Sequence, residues 1–117
     1  MTPPRLEPVS VRTIAGASSF ARSGVRCFAV VRSGVYAGRW FYEGDVLVVG
    51  GVATDGALSV LVTDGLGRPM LGRARGGRLF GDADEPCAPA RWRVAGLVLD
   101  VLRGAYAPAD QLVLFAA

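Results

Sequence analysis

Activating a nucleophile near neutral pH takes a group that can exchange a proton there, and this chain is poor in such groups. It contains no His and no Lys, and all 13 cationic side chains are Arg. A guanidinium holds its proton to a pH above ~12, so Arg cannot act as a general base. Ser-His-Asp and Cys-His activation are excluded, as is every metal site that needs His. The hydroxyl in the most suggestive setting is Ser33, within Arg32-Ser33-Gly34. Only carboxylates or the N-terminal amine are left to serve it, and nothing in the sequence brings either near. Ser33 therefore reads as a residue shaping a turn.

Other groups carry weaker chemistry. Asp82, Asp84 and Glu85 are too closely spaced for an EF-hand ligand ladder and read as a solvated acidic loop. No metal and no cofactor is expected, and no glycine-rich phosphate loop precedes a helix. Tyr36, Trp40, Phe41 and Tyr42 cluster around Arg39. This cluster either fills the core or forms an exposed binding patch of the kind that anchors interfaces. Arg68, Arg73, Arg75 and Arg78 make the densest cationic run; a solvated strand edge is the plain reading, an acidic or phosphate-bearing partner the other. The net charge is only +3 and the arginines are scattered, so direct nucleic-acid binding is not expected.

Composition bounds the scaffold. With 51% hydrophobic and 20% charged residues the chain is globular, and 117 residues suit one domain. Sixteen Gly and seven Pro imply many turns and short strands, hence a mostly β protein. Cys27 sits in the apolar run Cys-Phe-Ala-Val-Val and reads as a buried small hydrophobe; Cys87 lies in a Pro-containing loop. There is no secretory signal and no run near the ~18 apolar residues of a membrane helix, so a cytoplasmic protein with reduced thiols is expected.

Residues 1–24, with Pro3, Pro4 and Pro8, read as an N-terminal arm too short for a helix-turn-helix. Within it Val9 to Ile14 alternates and suits one strand, which could add to a partner's sheet edge. Strands are then expected at Arg26 to Arg32, Asp45 to Gly50, Leu58 to Thr63, Pro69 to Arg75 and Arg78 to Phe80. Ser33 to Gly44 reads as a turn-rich connection, and Asp55-Gly56, Asp64-Gly65 and Gly76-Gly77 as tight turns. Arg91 to Arg103 is one long strand or two joined at Gly96, and Gln111 to Phe115 a last strand. Spacing this close leaves no room for crossover helices and requires antiparallel pairing.

The order of five segments resembles the LexA/UmuD family of self-cleaving peptidases. Phe28-Ala29-Val30-Val31-Arg32-Ser33-Gly34 is similar to the apolar strand that leads into its nucleophile, and Glu43-Gly44-Asp45-Val46-Leu47-Val48-Val49 to its Gly-Asp strand. Asp55 to Val62, Met70 to Ala74 and Val94 to Arg103 follow in the family's order, so the resemblance covers residues 27–103, about two thirds of the chain. It implies a small, mostly β, LexA/UmuD C-terminal-like domain of twisted antiparallel sheets over residues 25–117. The family's Ser-Lys dyad is absent: Tyr36 stands at the nucleophile position, Ala37 follows it in place of Met, and Gly72 stands at the Lys position. Thr13-Ile14-Ala15-Gly16 is similar to a family cleavage site but lies only 18 residues before Ser33, and no autocleavage is expected.

What the resemblance implies is therefore binding without chemistry. The expectation is a homodimeric accessory of the bacterial DNA-damage (SOS) response, partnered by a translesion polymerase, RecA or a LexA-type repressor. The binding residues would be Tyr36, Arg39, Trp40, Phe41 and Tyr42. Dimerisation by C-terminal strands would use Leu97, Val98, Leu99, Val101, Leu112 and Leu114. The alternatives are an antirepressor-like partner that heterodimerises with a LexA-type repressor, and an active self-cleaving peptidase with a non-standard site at Ser33.

Overall fold

In a computed structural model, residues 2–10, 25–63, 67–88 and 90–106 are described. The chain is a set of antiparallel strands: β1 (Arg5–Val9), β2 (Arg26–Arg32), β3 (Gly34–Tyr36), β4 (Arg39–Phe41), β5 (Val46–Gly50), β6 (Ser59–Thr63), β7 (Met70–Arg75), β8 (Arg78–Phe80) and β9 (Trp92–Leu102). A 3-10 turn spans Asp82–Asp84. Seven strands form one sheet in the order β1-β2-β5-β9-β6-β7-β8, and β3 with β4 forms a separate hairpin.

Period-two alternation explains the aliphatic runs. Every residue of β5 is buried. Leu47 and Val49 join Phe28, Val30, Val60 and Leu71 in the main core, while Val46 and Val48 join Cys27 in a smaller cluster. A strand buried on both faces must be apolar at every position, as Val-Leu-Val-Val is. The hairpin closes the main core: Tyr36 and Phe41 belong to it, together with Leu6 of β1.

Two stretches gain structure that the sequence reading did not give them. Arg5–Val9, within the segment read as an arm, is a strand, and it pairs with β2 of its own chain. Leu6, with no exposed surface, holds it there. Pro8 is accommodated because β1 is an edge strand, where a missing N–H removes no ladder bond. Ser33 to Gly44 is not merely turns but the β3–β4 hairpin. Its Ala37-Gly38 turn has positive φ at both residues, 51° and 77°, the primed geometry that matches strand twist. Val11 to Ile14, Ala15-Gly16, Asp64-Gly65 and Gln111 to Phe115 lie outside the described residues.

The long strand does not divide at Gly96. It runs unbroken from Trp92 to Leu102 and carries two register shifts, which leave Ala95 unmatched on β6 and Leu99 unmatched on β5. Such bulges bend a strand and increase its twist. Gly96 marks a close approach instead: a Cβ there would lie 3.0 Å from Gly50 Cα.

One buried carboxylate organises the joint between β4, β5 and the end of β9. Asp45 is 2% exposed. Its Oδ2 accepts from the Tyr42 amide (3.1 Å) and from Arg103 Nη1 (2.5 Å), and its Oδ1 accepts from the Gly104 amide (3.2 Å). Replacing Asp45 with Ala strands these donors, of which the two amides are least able to turn to water. The expected loss is about 2–4 kcal/mol of unfolding free energy, read from urea denaturation. Arg103→Ala is expected to lose less, because its side chain is 53% exposed and water replaces it.

Candidate functional site

Tyr36 and Gly72, the positions that the resemblance sets in place of a dyad, lie on β3 and β7. Tyr36 ends β3 with its ring in the core and its hydroxyl buried without a hydrogen-bond partner. Burial foremost, and Asp84 next, hold the phenol above its ordinary pKa; Arg73 opposes them, and Asp82 and Cys87 add to the rise. A phenol kept neutral in this way is no nucleophile. Gly72 lies on β7, one residue before Arg73. A Cβ there would come within 2.5 Å of both Leu61 Cδ1 and the Phe80 carbonyl oxygen, so no side chain fits.

The groups around them are occupied in structural work. Arg73 forms a two-pronged ion pair with Asp84, Nε to Oδ1 at 3.1 Å and Nη2 to Oδ2. Ser33 Oγ accepts from the Glu43 amide at 2.7 Å and so fastens the base of the hairpin. Cys27 and Cys87 are both free thiols, and burial pushes each pKa up, away from thiolate. Among the described residues no three Cys, Asp or Glu converge as a metal-binding group. None of their helices is long and apolar enough to cross a membrane.

The aromatic cluster divides between core and surface. Tyr36 and Phe41 are 5% and 0% exposed, which removes them as binding anchors: strand alternation turns both rings inward. Trp40 and Tyr42, at 50% and 53% exposure, face outward. Their rings stack with centroids 6.3 Å apart and planes 20° from parallel. The Arg103 guanidinium lies 5.1 Å from the Tyr42 ring centre. Arg103 is in turn held by Asp45. Arg39 is also exposed, with its guanidinium over the Phe41 ring.

The expected dimer residues are placed unequally. Leu97, Val98, Leu99 and Val101 lie on β9, fourth of the seven strands, where β5 pairs with residues 97–102 and β6 with residues 92–97. Val98 and Val101 pack against the main core. Leu99, at its bulge, is 57% exposed and is the one that stands out from the surface. The Val101 amide is taken by Asp100 Oδ1 at 2.8 Å, which blunts that stretch for strand addition. Leu112 and Leu114 lie outside the described residues.

A second site went unread in the sequence. A groove of about 400 Å³ runs between the start of β1 and the start of β7, with Arg5, Arg32, Arg68 and Asp82 on its wall. Arg5 and Arg32 are directly opposed in the β1–β2 register. Asp82 has a raised pKa, chiefly from burial, partly offset by Arg32 and reinforced by Glu85. Arg5 and Arg32 are far apart in sequence, and Arg68 groups by eye with Arg73 and Arg75. Only the strand register brings the three together.

Compared with models of known protein families, with characterised proteins and with solved structures, the chain finds no match.

The neutral cleft gives two predictions of opposite sign. Tyr36→Phe removes a buried hydroxyl that has no partner, so stability is expected to hold or rise by up to about 1 kcal/mol in thermal or urea unfolding. Gly72→Ala overpacks β7 against Leu61 and Phe80 and is expected to cost about 1–3 kcal/mol.

Proposed function

We propose that this chain is a catalytically silent LexA/UmuD-like protein that works by binding another protein, as a homodimeric accessory of the bacterial DNA-damage response. The observation that carries the binding half is the exposed Trp40–Tyr42 stack held by Arg103. Aromatic rings and Arg supply most hot-spot energy at interfaces, and a stack already fixed loses little side-chain entropy on docking. The silent half rests on a neutral, buried Tyr36 and on a Gly72 with no space beside it.

The LexA/UmuD reading is supported by order and by one contact. The Gly44-Asp45 turn and the closing Arg103 are separate segments of the resemblance, and the Asp45–Arg103 ion pair joins them. The partner would be RecA, a translesion polymerase or a LexA-type repressor, met through the Trp40 face. Leu99 is available for contact between copies.

The test uses the purified chain against each of the three purified partners by surface plasmon resonance. One of them is expected to bind, and Trp40→Ala/Tyr42→Ala to weaken it about 30-fold or more, the scale of a hot spot. Incubation with RecA on single-stranded DNA and nucleotide is expected to leave the intact mass unchanged. Cleavage of the chain, or full binding by the double variant, would reject the proposal.

A further inference from the structure

We propose that the groove between β1 and β7 binds the phosphate monoester of a small organic ligand. The argument starts from a cost. Like charges directly opposite one another on an antiparallel pair repel, yet Arg5 and Arg32 occupy such a pair, beside the irregularity between Arg5 and Leu6. Arg68 adds a third guanidinium on the same groove. Among the described residues none of the three forms a hydrogen bond or a close ion pair, though Arg32 stands near enough to Asp82 to lower its pKa. An anion seated between them turns this repulsion into attraction.

Charge and size select the ligand. Three guanidiniums facing one carboxylate, Asp82, leave two positive charges in excess. A phosphate monoester near neutral pH carries up to two negative charges, and its oxygens match the planar fork of Arg. Two buried polar atoms on the same wall lack partners: Arg5 Nε, a donor, and Asp82 Oδ1, an acceptor. A volume of about 400 Å³ falls in the range of small-ligand sites. Trp92 and Met70 supply an apolar surface for the organic part. Pro3, Pro4 and Pro69 line the remainder, and having no N–H they cannot offer the hydrogen-bond ladder an added peptide strand requires. The groove is therefore shaped for a small molecule.

Phenyl phosphate is the probe, titrated calorimetrically into the full chain at fixed ionic strength, with phenyl sulfate as the singly charged comparison. Saturable one-site binding of phenyl phosphate is expected, with phenyl sulfate at least about tenfold weaker, the mark of a site that matches two charges. Arg32→Gln/Arg68→Gln is expected to weaken phenyl phosphate by about tenfold or more while melting at the same or a higher temperature, since a repulsion has been relieved. Asp82→Asn is expected to tighten binding. Absence of saturable heat up to about 10 mM phenyl phosphate, far beyond any useful affinity, would overturn the proposal. So would equal binding of phenyl sulfate, or wild-type affinity in the arginine double variant.

Discussion

A carboxylate withdrawn from water is tolerated only where its oxygens are bonded, and Asp45 meets that condition from three directions at once. The consequence is positional. The Tyr42 amide fixes the exit of β4, and Gly104 and Arg103 fix the end of β9. The neighbouring backbone completes the joint: the Gly44 amide bonds to the Val30 carbonyl, and the Tyr106 amide to the Gly44 carbonyl, both at 2.9 Å. Gly44 is needed there because its φ is 93°, a conformation side chains resist. One short turn therefore sets the relation of β2, β5 and β9, three adjacent strands of the sheet. It also sets where the Trp40–Tyr42 stack sits, because Arg103 bonds to Asp45 and covers the Tyr42 ring.

The same economy of groups governs the surroundings of Tyr36. The β3–β4 hairpin must bury Tyr36 and Phe41 to close the core over Phe28, Val30 and Leu71. Having done so, it leaves the phenol neutral and faces it with an arginine already committed to Asp84. β7 runs too close to Leu61 and Phe80 to present any side chain at position 72. A neutral phenol and a crowded glycine thus stand together on this side of the core.

Most strands were legible because their signals are local. Val46-Leu47-Val48-Val49 and the Gly76-Gly77 turn each point to one answer, and the β-branched run from Val94 to Val101 points to strand, as one piece or two; the structure has strands or turns there. What was not legible depends on pairing. Arg5–Val9 looked like an arm because Pro3 and Pro4 precede it and Pro8 lies within it, whereas burial of Leu6 against the core outweighs that signal. Ala37-Gly38 carries a weaker hairpin signal than Asn-Gly, so β3 and β4 were hidden in a stretch that reads as turns. The bulges at Ala95 and Leu99 have no sequence mark at all; they arise from matching β9 to different partners at its two ends. Of the candidate surface, the types Trp, Tyr and Arg were visible, but which of four aromatics faces outward depended on the hairpin register.

The distribution of arginine shows what an all-Arg chain gains and where a surplus remains. Arg26, Arg39, Arg75 and Arg103 each lie over an aromatic ring, at 5.1–5.3 Å from its centre. A planar, weakly hydrated guanidinium covers such a ring better than an ammonium does. In β2 and β4 the pair is two residues apart on one strand face, Arg26 with Phe28 and Arg39 with Phe41, so the arginine screens the edge of the core from water. Arg73 and Arg103 have carboxylate partners as well. Arg5, Arg32 and Arg68 have neither ring nor ion pair among the described residues. Arg78 and Arg91 share that lack, yet Arg78 opens β8 and Arg91 stands in a turn, both exposed and neither on the groove with the other three. Convergence, rather than the want of a partner, separates the groove from ordinary surface charge. It places the excess of a weakly basic chain at one spot on the fold, where a small doubly charged anion would be its counterion.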